Sequence, residues 1–122
     1  MEKLETVYRL RAGICRALGH PVRLAILDLL SEGEKSNADL LAALGVSKVN
    51  LSQHLAVMRN AGLVESRYQG REVIHRLTFE EIKIACRSIN EVLVQRLEQD
   101  TRLANNLNTS RSEHFAGPTK KS

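Results

Sequence analysis

The sequence lacks several features that would place it in a well-defined class of protein. It has no tryptophan and only two cysteines, and aromatic residues make up 3% of its 122 residues. No apolar run approaches the ~20 residues that span a bilayer, and the first residues, MEKLETVYRLRAG, mix charged and apolar side chains, unlike a signal peptide. We therefore expect a cytoplasmic protein with no membrane partner and no structural disulfide.

Motifs of enzyme active sites are also missing. The sequence has no glycine-rich phosphate loop and no HExxH pair. It also has no motif that would place a catalytic nucleophile beside a general base. We expect a protein that is not an enzyme. The length suits a single domain, which we assign to residues 1–107. Residues 108–122, NTSRSEHFAGPTKKS, are polar and aperiodic, which predicts a disordered tail.

Residues 36–62 predict two short helices joined by a tight turn. Ser36 and Asp39 form a capping-box pattern at the start of the first helix. Gly45 suits the C-terminus of that helix, and Ser47 can cap the second one. Two helices separated by so short a turn have the layout of a DNA-reading helix-turn-helix.

The second of these helices has two contrasting faces at about 100° per residue. Leu51, Leu55 and Met58 share the face that we expect to be buried. The opposite face carries Val49, Ser52, Gln53 and Ala56, with Lys48 at its N-terminal edge. Small side chains and an amide suit close approach to base edges in a major groove. A helical packing unit without nucleic acid is the alternative, because unrelated helical hairpins share such caps.

Residues 63–77, LVESRYQGREVIHRL, predict a β-hairpin with its turn at Gln69-Gly70. Arg67 and Arg71 flank the tip. Between residues 48 and 76, five basic residues stand against two acidic ones, so net +3 of the chain's formal +4 lies in this segment. Such a concentration is the charge pattern expected of phosphate contacts, although arginines on an exposed hairpin can also be merely solvated.

The remaining helices are predicted from their apolar stripes and start signals. Helix one covers roughly residues 3–18, and helix two begins at Pro21 and is apolar nearly all round, which predicts the central buried helix. The last helix is predicted to begin at Thr78, with Glu81 completing a capping box. So small a domain has little core to cover both outer helices, so we expect a homodimer that pairs them. Packing within one chain is the alternative.

These features together resemble the ArsR/SmtB family of bacterial winged-helix repressors. LGHPVRLAILDLL (18–30), the helix-turn-helix, NAGLVESRYQGREVIHRL (60–77) and a long closing helix carry the resemblance, over about residues 10–100. It implies a mainly α fold with a small β-hairpin, a winged helix-turn-helix that dimerises through the N-terminal and last helices. It also implies a repressor that binds a double-stranded DNA operator and releases it when a ligand or an oxidant arrives.

The resemblance carries site residues over by position. The DNA contacts it implies on the helix-turn-helix are Lys48, Val49, Ser52 and Gln53, and we expect Ser47 beside them to contact DNA too. Arg67 and Arg71 are the phosphate contacts it implies on the hairpin. Val49 departs from the small polar residue often found at its position.

Metal sensing of the family's usual designs is not expected. Residues 37–41, where some members carry a cysteine cluster, have no thiol, and residues 79–107 have no histidine, although other members place ligands there. His20, His54 and His75 lack paired spacing. We interpret them as structural, with His20 as the cap of helix two.

Cys15 on helix one and Cys86 on the last helix are the two thiols. One interpretation is a sensing pair, which forms a covalent link or binds a soft metal or metalloid. The other is that both are small buried apolar residues, as free cysteine often is. A second functional hypothesis remains beside the repressor: a winged-helix adaptor that binds another protein and has no effector site.

Overall fold

The structure, a computed structural model, describes residues 2–107. These residues form five helices and a three-stranded sheet. The helices are α1 (Glu2–Leu18), α2 (Pro21–Ser31), α3 (Asn37–Leu44), α4 (Lys48–Asn60) and α5 (Glu81–Leu107). The strands are β1 (Lys35–Ser36), β2 (Val64–Gln69) and β3 (Glu72–Leu77), and the order along the chain is α1, α2, β1, α3, α4, β2, β3 and α5. The mainly helical fold with a β-hairpin is confirmed, whereas the tail predicted at residues 108–122 lies outside the described residues.

Side-chain caps begin both helices of the helix-turn-helix, as predicted. The Ser36 hydroxyl oxygen accepts from the Asp39 backbone N–H at 3.0 Å, and the Asp39 carboxylate accepts from the Ser36 N–H at 3.0 Å. These hydrogen bonds lower the pKa of Asp39. Gly45 ends α3 with a φ of 68°, in the left-handed region that glycine adopts without strain. Ser47 caps α4 by accepting from the Asn50 N–H at 3.1 Å.

The core lies among α2, α3, α4 and the start of α5. Its largest fully buried hydrophobic side chains are those of Ile26, Leu27, Leu40, Leu51, Leu55 and Met58. Helix α2 supplies two of them and is the buried helix that the sequence predicted. His20 caps it, because its Nδ1 accepts from the Val22 N–H at 3.1 Å.

The hairpin turn lies one residue later than predicted. Gln69 pairs with Glu72 across β2 and β3, which leaves Gly70 and Arg71 as the two turn residues. Gly70 has a φ of 66°, as the first position of a type II′ turn requires. The prediction of Gln69-Gly70 placed the glycine in the turn correctly, whereas Gln69 is the last residue of β2.

Strand β1 was not predicted. It pairs antiparallel with β3, through Lys35 with His75 and Ser36 with Ile74, so the sheet order is β1-β3-β2. Two residues are too few to show an alternating pattern. The strand nevertheless matters, because it attaches the hairpin to the start of α3.

The prediction that Thr78 caps the last helix is wrong. Helix α5 begins at Glu81, and the Thr78 hydroxyl instead donates to the carbonyl of Gly62 at 2.6 Å. The Thr78 N–H donates to the Leu63 carbonyl at 3.1 Å. Because β3 returns the chain beside the end of α4, Thr78 meets the loop after that helix before α5 begins.

The chain divides at Cys86 into two compact units. Each unit exposes large apolar side chains. In the first unit, those on α1 are Leu4, Val7, Tyr8, Leu10 and Ile14, each at least 41% exposed. In the second unit they are Ile89, Val92, Leu93, Leu103 and Leu107, each at least 45% exposed. Despite these residues, no helix between residues 2 and 107 combines the length and the hydropathy needed to cross a membrane.

Candidate nucleic-acid interface

Helix α4 presents one polar face outward. Lys48, Ser52 and Gln53 are exposed, and Val49 is 65% exposed although it is apolar. Leu51, Leu55 and Met58 are buried on the other side, so the predicted division of the helix is confirmed. Ser47 is also exposed, and its oxygen is engaged as the helix cap. That these residues contact DNA stays a prediction.

A groove of about 530 Å³ separates this face from the hairpin of β2 and β3, which we call the wing (residues 64–77). Its polar walls are formed by Lys48, Ser52 and Arg59 from α4 and by Tyr68, Arg71 and Glu72 from the wing. Three of these side chains are cationic and one is anionic. An excess of positive charge in a groove attracts a phosphate backbone.

The two arginines predicted for phosphate contact have different surroundings. Both amino groups of Arg67 donate to the carboxylate of Glu34, each at 2.9 Å. This paired hydrogen bond raises the pKa of Arg67 and lowers the pKa of Glu34. Within residues 2–107, Arg71 forms no ion pair. Arg71 is therefore the wing arginine that is available to a phosphate without first leaving an acidic partner.

Sequence reasoning did not assign Arg59, Tyr68 or Glu72 to the site. Arg59 lies on the same face of α4 as Lys48 and Ser52, and Tyr68 on the wing is 82% exposed. The helical spacing of residues 48, 52 and 59 was a signal that could have identified Arg59. No pattern in the sequence distinguishes Tyr68 from any other strand tyrosine.

His75 lies beneath the groove and is only 1% exposed. Its Nδ1 is 2.6 Å from the Ser66 hydroxyl, and its Nε2 is 2.6 Å from the side-chain oxygen of Asn37. Because that amide oxygen can only accept, Nε2 carries the proton and Nδ1 accepts from Ser66. Burial lowers the pKa of His75, and the neighbouring Arg59 lowers it further. The structural interpretation of this histidine is supported.

A pair of histidines connects the N-terminal cap of α2 with α4. The rings of His20 and His54 are 4.4 Å apart, and Arg23 lies 3.2 Å from Nδ1 of His54. Burial, followed by the charges of His20 and Arg23, lowers the pKa of His54. Arg23 also donates to the Ala17 carbonyl at 2.6 Å, which links it to the end of α1.

In the described part of the chain, no three metal-ligating side chains form a cluster.

The two thiols also differ from each other. Cys15 is exposed, whereas Cys86 is half-buried against the core, and both are free. Burial, with a smaller contribution from Asp28, raises the pKa of the Cys86 thiol. A raised pKa leaves less thiolate to react. Whether either thiol senses a signal stays a prediction.

A helix-turn-helix with an exposed second helix and an adjoining wing defines the winged helix-turn-helix class of DNA-binding proteins. The family model "Bacterial regulatory protein, arsR family" matches residues 20–66. The HTH-type transcriptional regulator Rv0081 of Mycobacterium tuberculosis, itself named as uncharacterised, is 39% identical over 79 residues, 64% of this chain and 69% of that protein. The chain belongs to the ArsR family, whose members are DNA-binding regulators of transcription and not enzymes.

Solved structures agree with this assignment. The crystal structure of Rv0081 matches with a TM-score of 0.73 and 34% identity, over 78% of this chain and 96% of that one. The transcriptional repressor BigR of Xylella fastidiosa matches with a TM-score of 0.66 and 32% identity, over 75% and 93%. A homodimeric winged helix-turn-helix DNA-binding domain, Mb0332 of Mycobacterium bovis, matches with a TM-score of 0.66 and 25% identity, over 93% and 96%.

Proposed function

We propose that this protein is a homodimeric repressor that binds a double-stranded operator in the cytoplasm. The observation that carries the proposal is the exposed polar face of α4, which lies beside a groove with three cations. In this role, Ser52 and Gln53 read base edges and Lys48 and Arg71 bind phosphates. Ser47, Val49 and Arg67 complete the proposed contact surface.

The outer helices support the proposal of a homodimer. Helix α1 and the second unit each carry several large apolar side chains that one chain leaves exposed. Closed two-fold pairing is the commonest way for a small protein to cover such surfaces. A dimer would also present two copies of α4, as two half-sites one helical turn apart require. The relative Mb0332 is described as homodimeric.

Repression is the regulatory direction that we propose. A protein that occupies an operator blocks the polymerase without needing any further surface, and BigR is named a repressor. Binding followed by steric exclusion is therefore the simplest mechanism.

Release through the thiols is a further part of the proposal. Cys15 is exposed and would react first with an oxidant or a soft metal or metalloid, whereas Cys86 is protected by its raised pKa. Cys15→Ser and Cys86→Ser proteins should bind DNA normally and resist release by polysulfide, peroxide or arsenite. Release at the normal rate from both variants would show that the effector acts elsewhere.

A mobility-shift experiment tests the proposed function. The full chain is mixed with DNA from the region upstream of its own gene and with a scrambled fragment of equal length. We expect tighter binding to the first fragment, and binding to both that weakens steeply between about 50 and about 200 mM salt. Absence of binding to either fragment at the lower salt concentration would instead favour the adaptor hypothesis.

A further inference from the structure

Arg59, like Arg71, differs from the other two arginines near the wing. Arg67 is paired with Glu34, and Arg76 is paired with Glu65 at 2.6 Å. Arg59 is exposed, lines the groove, and forms no ion pair within residues 2–107. Its charge is therefore not compensated by a carboxylate and remains available to an anion in the groove.

Among the residues that the structure describes, one hydrogen bond holds the Arg59 side chain in place. Its Nη1 donates to the hydroxyl oxygen of Ser66 on β2 at 3.2 Å. A guanidinium has five N–H donors, so most of them remain free while this bond is made. The hydrogen bond therefore orients the guanidinium and leaves other N–H donors free to bind a phosphate.

Ser66 can accept from Arg59 because His75 fixes the direction of its proton. The hydroxyl donates to Nδ1 of His75, which leaves its oxygen lone pairs for the guanidinium. His75 is held in turn by Asn37, the first residue of α3. The hydrogen-bonded chain from Arg59 to Asn37 thus joins the last turn of α4, both wing strands and the first turn of α3.

We propose that Arg59 is a phosphate-binding residue of the groove and that the buried His75, acting through Ser66, fixes the direction of its guanidinium. Arg59 and the two groove cations Lys48 and Arg71 then surround a DNA backbone that passes between α4 and the wing. Ser66 and His75 are positioning residues, since neither touches the DNA. The inference rests on the proposed DNA-binding function.

Arg59→Ala tests the contact itself. Because one phosphate contact is lost, the slope of log affinity against log salt should become shallower by about one, with similar losses on specific and random DNA. Arg9→Ala is the matched control, because it removes the same charge from an exposed arginine of α1 that pairs with Glu5. Its slope should equal that of the unchanged protein. An unaltered slope for Arg59→Ala would overturn the proposal.

Ser66→Ala tests the positioning role. It should weaken DNA binding several-fold when Arg59 is present and have no further effect in an Arg59→Ala background, since the two residues act in series. An equal loss in both backgrounds would show that Ser66 does not act through Arg59. Urea unfolding of each variant separates these effects from loss of the fold.

The ring of His75 provides a spectroscopic readout. Nitrogen NMR of the free protein should show the tautomer protonated at Nε2, and the pKa of His75 should rise in Arg59→Ala, because a neighbouring cation is removed. A ring protonated at Nδ1, or a pKa that does not change, would contradict the hydrogen-bonded chain.

The failure of the proposed function and the failure of this inference can be distinguished. If the unchanged protein fails to bind any DNA, the proposed function is wrong. If the unchanged protein binds DNA and Arg59→Ala binds it equally well with the same salt slope, only this inference is wrong.

Discussion

We call residues 36–77 the DNA-facing segment, after the proposed function. This segment and the outer helices, α1 and α5, accommodate their side chains in different ways. In the DNA-facing segment, Ser36 and Ser47 cap their helices, Arg67 is paired and the buried His75 uses both ring nitrogens. The outer helices instead leave large apolar residues such as Val92 exposed. The DNA-facing segment also exposes apolar side chains, but Val49 and Tyr68 lie at the proposed DNA contact and its groove. We propose that a second copy of the chain covers those of the outer helices.

We therefore expect pairing of two chains to stabilise the outer helices and to leave the fold of the DNA-facing segment unchanged. Full burial of a leucine, isoleucine or valine side chain stabilises by about 1.5–3 kcal/mol, so several exposed ones provide a large driving force for association. The DNA-facing segment already buries Leu40, Leu51, Leu55 and Met58 within one chain. Its fold should therefore survive loss of the dimer, while its function should not.

The largest effect is expected from breaking the pairing of the outer helices. Val92 is 66% exposed on α5, so Val92→Glu should leave the chain folded while placing a charge in the proposed dimer contact. Loss of simultaneous binding at two half-sites should weaken operator binding by about 100-fold or more. Sedimentation equilibrium and a mobility shift measure the two changes.

Gln95→Glu is the matched control for this prediction. Gln95 is an exposed polar residue of the same helix, and its substitution introduces the same charge. The control should remain dimeric and bind the operator normally. A Val92→Glu protein that is still a dimer would show that α5 does not form the contact.

Loss of one base-reading side chain should have the next largest effect. Gln53→Ala should cost about 1–3 kcal/mol on the operator and much less on random DNA, because an amide that bonds a base edge discriminates between sequences. Fluorescence anisotropy on both DNAs provides the comparison. Equal losses on the two would mean that Gln53 does not read sequence.

Substitution of the wing arginines should have a smaller effect on DNA binding, and its size should differ between Arg67 and Arg71. Arg71→Ala should reduce the salt slope by about one, and Arg67→Ala by less, since Arg67 has to leave Glu34 before it can bind a phosphate. Glu34→Gln should release Arg67 and steepen the slope. Glu5→Gln, which removes an acid paired with Arg9 on α1, is the control and should change nothing. Identical slopes for all four proteins would place the wing away from the phosphates.

A change of pH should have the smallest effect. It should alter the free energy of unfolding through histidines of the DNA-facing segment. His54 and His75 both have a pKa lowered from 6.5, whereas neither α1 nor α5 contains a histidine. The unfolded chain therefore binds more protons than the folded chain below about pH 6.5, so the free energy of unfolding should fall as the solution is acidified from there. Urea unfolding between about pH 7.5 and about pH 5.5 measures it. His54→Gln should flatten the dependence, and a pH-independent free energy would refute the prediction.

Local signals in the sequence were enough to predict most of the helix-turn-helix. A serine before each helix and a glycine after α3 act within four residues, so Ser36, Gly45 and Ser47 could be assigned without tertiary information. The hairpin was predicted with its turn one residue early, because Gly70 fits either position. Thr78 was misassigned, since its hydroxyl meets Gly62, sixteen residues earlier in the chain.

Long-range pairs explain what could not be predicted in the site. Glu34 and Arg67 are 33 residues apart, and Asn37 and His75 are 38 apart. No periodicity links such positions, because they meet only after β1 and β3 have paired. Sequence reasoning therefore treated Arg67 and Arg71 alike and did not include Arg59.

Selection of binding sites from a random DNA library tests most directly the central claim that two copies of the α4 face read DNA together. The full chain is used at low protein concentration, and the enriched fragments are sequenced. We predict an inverted repeat whose half-site centres lie about 34 Å, one helical turn, apart. An enriched site without two-fold symmetry, or no enriched sequence at all, would contradict the account.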